Sequence, residues 1–512
     1  MQYQMTELTF NGNEPEGSLS QADIKAVFTH ENITFEADGF YAGNGIYKVR
    51  FLPEYAGEYH YKVTGEVNAE GDIPIEPHDG AHHGIVRAEG THLRYSDGTL
   101  CTPFGTTVYA MLHQPDELVV ETLESLEKSP FDKIRLCVFP KDYDCNRNDP
   151  KYYPFERIEN GWNAHRPDFR FWDRFERYLE RLFDMGFQVD LILFHPYDRW
   201  GFSKMSHAED LAYLGYLLRR FSAYPNLWWS MANEYDLCFD KTLEEWYDIE
   251  AFISSHDRYH HLLSNHHCIV PWEHTRARTT HASLQTSRLE RIAEWRRKYA
   301  KPVLIDECCY EGDLPHMWGN ITAQEMTARF WKCITQGGYC THGETYLNDR
   351  ETVFWSKGGT LIGGSIERIA FLKSIVSELN EPIEPLGYGL GQYHGYTDGE
   401  LNDILSSGSE PANPFVLTLL KLDKTERDRW LETQFEWAGH CGENAYLFYF
   451  CTQRKSFADI NLPEDKSYDI EVIDTWEMTR ETVLSGVSGN VRVPLPAKEY
   501  MAVLAKIVKN KG

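Results

Sequence analysis

The chain has 512 residues and a formal net charge of −27. At about 100–200 residues per domain, this length predicts two or three domains, each with its own core. Nucleic acid and membrane surfaces are unfavourable partners for so acidic a chain, because binding to them depends on cationic side chains that displace counterions. Charged residues make up 25% and hydrophobic residues 42%, as in ordinary globular proteins, and aromatic residues are abundant at 14%.

The N-terminal segment and the cysteines indicate the cellular compartment in which the protein is expected. Residues 1–7 show neither the basic nor the apolar segment of a secretory signal, and no run of about 18 apolar residues predicts a membrane span. The 11 cysteines lack the spacing of a disulfide framework and contain no CxxC pair, which favours buried reduced thiols. We therefore expect a cytoplasmic protein without a metal or cofactor.

Residues 1–92 have the pattern of a β-sandwich. Apolar and polar side chains alternate in Ile46–Phe51 and in Gly57–Val63, and Asp38-Gly39 and Thr64-Gly65 are turn signals between such runs. Short alternating strands at this spacing predict two packed antiparallel sheets.

Residues 93–385 alternate between apolar strands and amphipathic helices, which predicts an α/β fold. Eight strands are expected, at Pro103–Tyr109, Lys133–Phe139, Phe187–Phe194, Leu227–Ala232, His261–Ser264, Thr279–Ser283, Pro302–Asp306 and Gly338–His342. Eight such units favour a (β/α)8 TIM barrel over an open doubly wound sheet. No glycine-rich nucleotide loop follows the first strand.

Residues 386–512 begin with a loop-rich stretch and then return to alternating strands. The runs are Phe415–Lys421, Ala445–Phe450, Tyr468–Asp474, Val491–Pro494 and Tyr500–Ile507. They predict a small C-terminal β-domain that resembles a sandwich.

Two glutamates stand where barrel strands end, which is where catalytic groups of this fold are found. Glu234 follows the fourth predicted strand and Glu307 follows the seventh. Two carboxylates that face one sugar ring are what glycoside hydrolysis requires, one as acid and the other as nucleophile or base. The alternative is that each glutamate only solvates a strand end. The interval between them fits three βα units of about 25 residues.

The dipeptide Asn233-Glu234 and the segment Lys301–Glu307 resemble strands four and seven of the large (β/α)8 clan of retaining glycoside hydrolases. The resemblance implies that Glu234 is the general acid/base and Glu307 the nucleophile. It also implies a sugar 2-hydroxyl contact for Asn233, a charge-steadying role for Arg135 and a place in the pocket wall for His195. The segment 39–59 is similar to an uncharacterised immunoglobulin-like domain that often precedes such barrels.

Strands six and eight depart from the clan pattern. His281 stands where the clan often has a histidine, but the tyrosine that usually follows is missing, and Tyr310 is a candidate replacement. At the end of strand eight, His342 is a further candidate, and Glu344 is expected either to bind a sugar hydroxyl or to raise the pKa of a neighbour. Glu311 is a rival nucleophile, less rigidly held in a loop.

Loop residues near the strand ends are candidates for sugar contact. Asp198 is able to accept hydrogen bonds from hydroxyls, and Trp200 and Trp355 offer rings for stacking. Trp228 and Trp229 lie within a strand and are expected in the core. Hydrogen-bonding, sugar-binding and metal-binding roles are all open for the paired histidines His260-His261 and His266-His267.

The residues and the resemblance together predict a glycoside hydrolase that cleaves β-linked oligosaccharides or glycosides with retention. An inverting glycosidase and a non-catalytic carbohydrate-binding protein on a degenerate barrel are the alternatives. The sequence leaves open the sugar, the linkage, exo or endo action and the oligomeric state.

Overall fold

A computed structural model describes residues 1–159, 161–348, 350, 352–386, 418, 421–423, 425, 426 and 437–508. The chain divides into two compact units. The first comprises Met1–Thr286, Lys298–Thr322 and Thr341–Gly363, and the second Ser287–Arg297, Ala323–Cys340 and Gly364–Gly512. The predicted strand 415–421 lies outside the described residues except at 418 and 421. Within the described ranges, no helix is long and apolar enough to cross a membrane.

The first unit begins with two antiparallel sheets. Strands β1–β7 are Thr6–Asn11, Ile24–His30, Ile33–Asp38, Phe40–Gly43, Ile46–Phe51, Gly57–Gly65 and Ala69–Ile75. The sheet orders are β1-β5-β4 and β3-β2-β6-β7. Along β2, Ile24, Ala26 and Phe28 are buried in a shared core while Lys25 and Val27 face outward, as the alternation predicts. Strands β8–β10 form a further small antiparallel sheet of Val86–Glu89, His92–Tyr95 and Leu100–Cys101.

The barrel follows. In chain order its elements are β11 (Gly105–Thr107), α1 (Asp116–Glu127), β12 (Lys133–Cys137), β13 (Phe155–Ile158), β14 (Gly161–Pro167), α2 (Phe169–Asp184), β15 (Gln188–Phe194), α3 (His207–Phe221), β16 (Leu227–Ala232), α4 (Leu243–His256), β17 (Leu263–Ser264), β18 (Ala282–Gln285), α5 (Ile292–Tyr299), β19 (Val303–Glu307), β20 (Glu311–Gly312), α6 (Ala323–Thr335), β21 (Tyr339–His342), β22 (Glu344–Thr345), α7 (Phe354–Lys357) and α8 (Ser365–Leu379).

Eight strands of this set form one parallel sheet in the order β17-β16-β15-β12-β11-β21-β19-β18. The two end strands approach each other at a backbone hydrogen bond of 2.8 Å from the Thr280 N–H to the Leu263 carbonyl, so the barrel is nearly closed. The TIM-barrel prediction is thus confirmed. The chain between β17 and β18 contains no helix, unlike the other predicted crossovers.

Helix starts in the barrel follow local capping rules. Ser206 before α3 and Thr242 before α4 each form a capping box, with Glu209 and Glu245 respectively. Each box satisfies otherwise unpaired backbone N–H groups at the helix start. The strands are buried on both faces, as all seven residues of β15 show, which explains their continuous apolar runs.

The second unit holds α6, α8 and the C-terminal β-structure. Strands β23–β30 are Glu384–Pro385, Trp437–Cys441, Ala445–Tyr449, Phe457–Asn461, Tyr468–Asp474, Thr479–Val487, Asn490–Pro494 and Met501–Ile507. They form a sheet of order β23-β24-β25-β30-β27-β28 and the pair β26-β29. Helix α6 contacts α8, β24 and β25. The C-terminal strand pattern thus produces a β-rich domain.

Candidate active site

Glu234 lies directly after β16, at the carboxyl end of the parallel sheet. Its backbone is left-handed, with φ 55°, a conformation that costs an L-residue about 1–2 kcal/mol. Such strain is found where a side chain is aimed for function. The hydroxyl of Tyr197, which follows β15, donates a hydrogen bond to Oε2 of Glu234. Glu234 is also buried, and this hydrogen bond holds its side chain in one orientation.

Glu307 is the last residue of β19 and is also buried. The hydroxyl of Tyr109 donates a hydrogen bond to its Oε1, and Nη1 of Arg135 lies 3.6 Å from the same oxygen. Burial and the charge of Glu234 raise the pKa of Glu307, whereas Arg135, Tyr109 and Lys141 oppose the rise. The two donors favour the ionised form that a nucleophile requires.

The side chain of Gln285, at the end of β18, bridges the two carboxylates. The hydrogen-bond network orients its amide nitrogen toward them. That nitrogen lies 3.2 Å from Oε1 of Glu234 and 3.3 Å from Oε2 of Glu307. One donor group therefore spans the gap between the two glutamates.

A buried ionic network holds Arg135 in place. Nε of Arg135 lies 3.2 Å from Asp190, and Nζ of Lys133 lies 3.2 Å from Asp190 and 2.6 Å from Asp306. Although burial opposes it, the charges of Lys133 and Arg135 hold the pKa of Asp306 well below its ordinary range. Two cations and two anions balance one another, and Arg135 keeps the position from which it reaches Glu307.

Aromatic rings form a wall beside Glu307. Trp355, in α7, is buried and packs edge-on against Tyr109 at 5.5 Å and Tyr143 at 5.1 Å between ring centroids. It also packs against Tyr310 at 5.4 Å and Trp318 at 5.0 Å. Of these rings Trp318 is exposed, with 38% of its surface accessible. The wall thus runs from the nucleophile to solvent.

Two buried histidines follow barrel strands, and one of them, His266, lies near a carboxylate. Nε2 of His266, which follows β17, lies 4.0 Å from Oε1 of Glu307, and burial lowers the pKa of His266 well below its ordinary value. His195 follows β15, and its Nε2 lies 3.2 Å from the Phe139 carbonyl. Burial and the charge of Lys141 lower the pKa of His195 to about 3. Both rings are therefore neutral at physiological pH.

Comparison with known families agrees with this geometry. A family model described as the catalytic domain of Apiosidase-like proteins matches residues 88–354, more than half of the chain. The chain belongs to the Apiosidase-like family. Two models of domains of unknown function match the flanks, one at residues 1–66 and the other at 434–506.

Solved structures resemble the Apiosidase-like chain over most of its length. A candidate glycoside hydrolase from Bacteroides vulgatus is 29% identical, with a TM-score of 0.85 and 99% coverage of both chains. A family 5 glycoside hydrolase from the same organism is 14% identical, with a TM-score of 0.61, over 85% of this chain and 96% of the other, and shares the fold. No curated protein matches. By family and fold the chain is therefore glycoside-hydrolase-like, which implies a carbohydrate substrate.

Asn233, Asp198 and Trp200 lie in the loops of the Apiosidase-like barrel. Asn233 is buried beside Glu234, and its Oδ1 has no hydrogen-bond partner within the described residues. Asp198 accepts from the backbone N–H groups of Trp200 at 2.7 Å and Ser203 at 2.6 Å. The Trp200 ring lies under Arg199 at 4.8 Å. Asp198 therefore shapes the loop, and the Arg199 side chain covers one face of the Trp200 ring.

The predicted register of strand six needs correction. The strand is Ala282–Gln285 rather than Thr279–Ser283, so His281 precedes it and Gln285 occupies the carboxyl end. His281 packs edge-on against Trp228, and burial lowers its pKa to about 4. Tyr109 is a tyrosine whose hydroxyl donates to Glu307. Burial and the charge of Glu307 raise the pKa of Tyr310 well above its ordinary value, and the role of Tyr310 as the replacement for the clan tyrosine stays a prediction.

The strand-eight candidates have structural partners. Nδ1 of His342 lies 3.1 Å from Oγ1 of Thr106. Glu344 accepts from the backbone N–H groups of Ile362 at 2.9 Å and Gly363 at 2.7 Å, which fixes the end of the loop that carries Trp355. Burial raises the pKa of Glu344 to about 7, with Glu311 contributing. Glu311, in β20, stands opposite Glu344, in β22, in a parallel strand pair.

Sequence reasoning missed four residues of the site: Tyr109, Lys141, Tyr197 and Gln285. Tyr109 ends the first predicted strand, so the strand-end rule that selected the glutamates also points to it. Tyr197 and Lys141 follow strands three and two by a few residues. Gln285 was not identified because the predicted strand six ended at Ser283, before it. Within the described part of the chain, no cluster of three or more His, Cys, Asp or Glu side chains is arranged to hold a metal ion.

Proposed function

We propose that the protein is a retaining β-glycosidase. Glu307 attacks the anomeric carbon while the protonated carboxyl of Glu234 donates its proton to the leaving oxygen. A covalent glycosyl ester on Glu307 results. Glu234, now ionised, removes a proton from the water that displaces the sugar from Glu307. The observation that carries the proposal is the pair of buried glutamates on β16 and β19, bridged by Gln285.

The bridge supports retention over inversion. Because one amide nitrogen lies 3.2 Å from Oε1 of Glu234 and 3.3 Å from Oε2 of Glu307, these two oxygens are at most about 6.5 Å apart. Retaining enzymes have carboxyl groups about 5–5.5 Å apart, whereas inverting enzymes need about 6.5–9.5 Å to admit a water molecule. The Gln285 bridge therefore favours direct attack by Glu307.

The side chains that contact the two carboxylates support the assignment of the two roles, although burial and the charge of Glu234 raise the pKa of Glu307. Arg135 at 3.6 Å and the Tyr109 hydroxyl stabilise negative charge on Glu307. The described residues place no cation within 4.0 Å of Glu234. Glu307 is thus the carboxylate with partners that stabilise negative charge, as the role of nucleophile requires.

We propose that the substrate is a small glycoside and that the enzyme acts in exo mode, releasing the terminal sugar. The description of the matched family, Apiosidase-like, suggests apiosides as substrates. The aromatic wall of Tyr143, Tyr310 and Trp355 bounds one side of the site, which suits a pocket that accepts a terminal sugar. A cytoplasmic location, which belongs to the same proposal, also favours glycosides over polymers.

The test is a panel of aryl α- and β-glycosides, including an apioside, with the first-formed product anomer followed by NMR. We expect a β-glycoside to be hydrolysed with retention. Glu307→Gln should abolish turnover, and azide should rescue Glu234→Ala as a β-glycosyl azide. Glu311→Gln is the matched control and should keep activity. Inverted product, or full activity of Glu307→Ala on every substrate, would contradict the proposal.

A further inference from the structure

Lys141 places a buried cation in the wall of the active site. Its side chain follows β12 and is only 2% exposed. The ammonium nitrogen lies 3.6 Å from the ring centroid of Tyr109 and 4.4 Å from that of Tyr197. Two further rings lie at 4.8 Å (Tyr143) and 5.6 Å (Trp355). Electron-rich ring faces stabilise a cation at such distances, so these four rings form an aromatic cage.

The cage contains no anion. Within the described residues, Nζ of Lys141 has no carboxylate within 4.0 Å and no hydrogen-bond acceptor. Two other buried lysines of the barrel are paired, Lys133 with Asp306 and Lys241 with Asp210. A buried ammonium without an acceptor is costly, because its three N–H donors are removed from water.

The position of the cage connects Lys141 to both glutamates. Tyr109 donates to Glu307 and Tyr197 donates to Glu234, so the ammonium lies against the two rings that hold the carboxylates. A small part of the Nζ surface stays accessible, so its N–H donors are not wholly enclosed by protein. An acceptor that enters between the glutamates would meet these N–H donors.

We propose that Lys141 is a specificity-determining residue whose ammonium donates hydrogen bonds to a hydroxyl oxygen of the sugar bound between Glu234 and Glu307. The proposal rests on the glycosidase function proposed above. Sugar hydroxyls are the acceptors such a substrate brings to this position. A site built to bond one hydroxyl discriminates strongly against a sugar that lacks it, because the buried donor is then left unpaired.

The test combines Lys141→Met with aryl glycosides in which each sugar hydroxyl is replaced in turn by hydrogen. In the wild type, one such replacement should reduce kcat/KM by about 10-fold to 150-fold, the range for a bond to a charged donor. The same replacement should change kcat/KM of Lys141→Met by less than about twofold. Equal losses in both enzymes at every position would overturn the proposal.

Two further measurements keep the result interpretable. Lys141→Arg retains the charge but shifts the donors, and we expect it to keep part of the discrimination; thermal unfolding shows whether each variant is folded. Should the wild type hydrolyse no glycoside, the glycosidase proposal fails. Calorimetric binding of the free sugars and their deoxy analogues to wild type and Lys141→Met then tests Lys141 separately. An identical ranking of affinities in the two proteins would refute its role.

Discussion

Tyr109→Phe removes a single hydroxyl group from the environment of the nucleophile. The ring that remains keeps its edge-on contact with Trp355 at 5.5 Å. The hydroxyl donates to Oε1 of Glu307, and a hydrogen bond to a charged group contributes about 1.5–3 kcal/mol. At 1.36 kcal/mol per tenfold change, kcat/KM should fall by about 10-fold to 150-fold.

The same substitution should alter the pH dependence. The phenolic donor favours the ionised carboxylate, so its loss raises the pKa of Glu307 above the already raised value. Glu307 attacks only when ionised. The acidic limb of kcat/KM should therefore move to higher pH, and kcat/KM measured against pH with an activated aryl glycoside checks this.

Tyr213→Phe is the matched control for this experiment. Tyr213 is also fully buried, but its hydroxyl lies 3.3 Å from the Leu193 carbonyl and contacts neither glutamate. It should alter stability and leave the acidic limb in place. The reasoning is refuted if Tyr109→Phe keeps the wild-type kcat/KM and the wild-type acidic limb.

Two predictions concern stability. Lys133→Met removes the nearest cation of Asp306 and leaves Arg135, 3.2 Å from Asp190 and 4.0 Å from Asp306, as the one remaining described counter-ion of both. It should lower the free energy of unfolding in urea by about 3 kcal/mol, whereas the exposed control Lys25→Met should change it little. The pKa of Glu344 is raised from 4.5 to about 7, so the protonated form stabilises the fold at low pH and that stability is lost as pH rises through this window. The melting temperature of Glu344→Gln should consequently fall less than that of the wild type between about pH 5 and about pH 8, and a wild-type pH dependence in the variant would contradict this assignment.

The barrel and the pair of strand-end glutamates were predictable from the sequence. Continuous apolar runs that alternate with amphipathic helices produce a parallel sheet covered by helices. The carboxyl ends of its strands meet at one face. Glu234 and Glu307, far apart in the chain, were therefore expected at one site by their strand positions alone.

Only the tertiary structure decided what surrounds the two glutamates. Tyr109, Tyr197, Lys141 and Gln285 come from four separate strand–loop connections, and no local pattern states which of them point to the same place. Gln285 depended on the register of a four-residue strand, where a shift of one residue exchanges the two faces. Contacts between distant segments arise from packing. The hydrogen bonds to Glu234 and Glu307 and the cage around Lys141 are therefore properties of the assembled barrel rather than of any stretch of sequence.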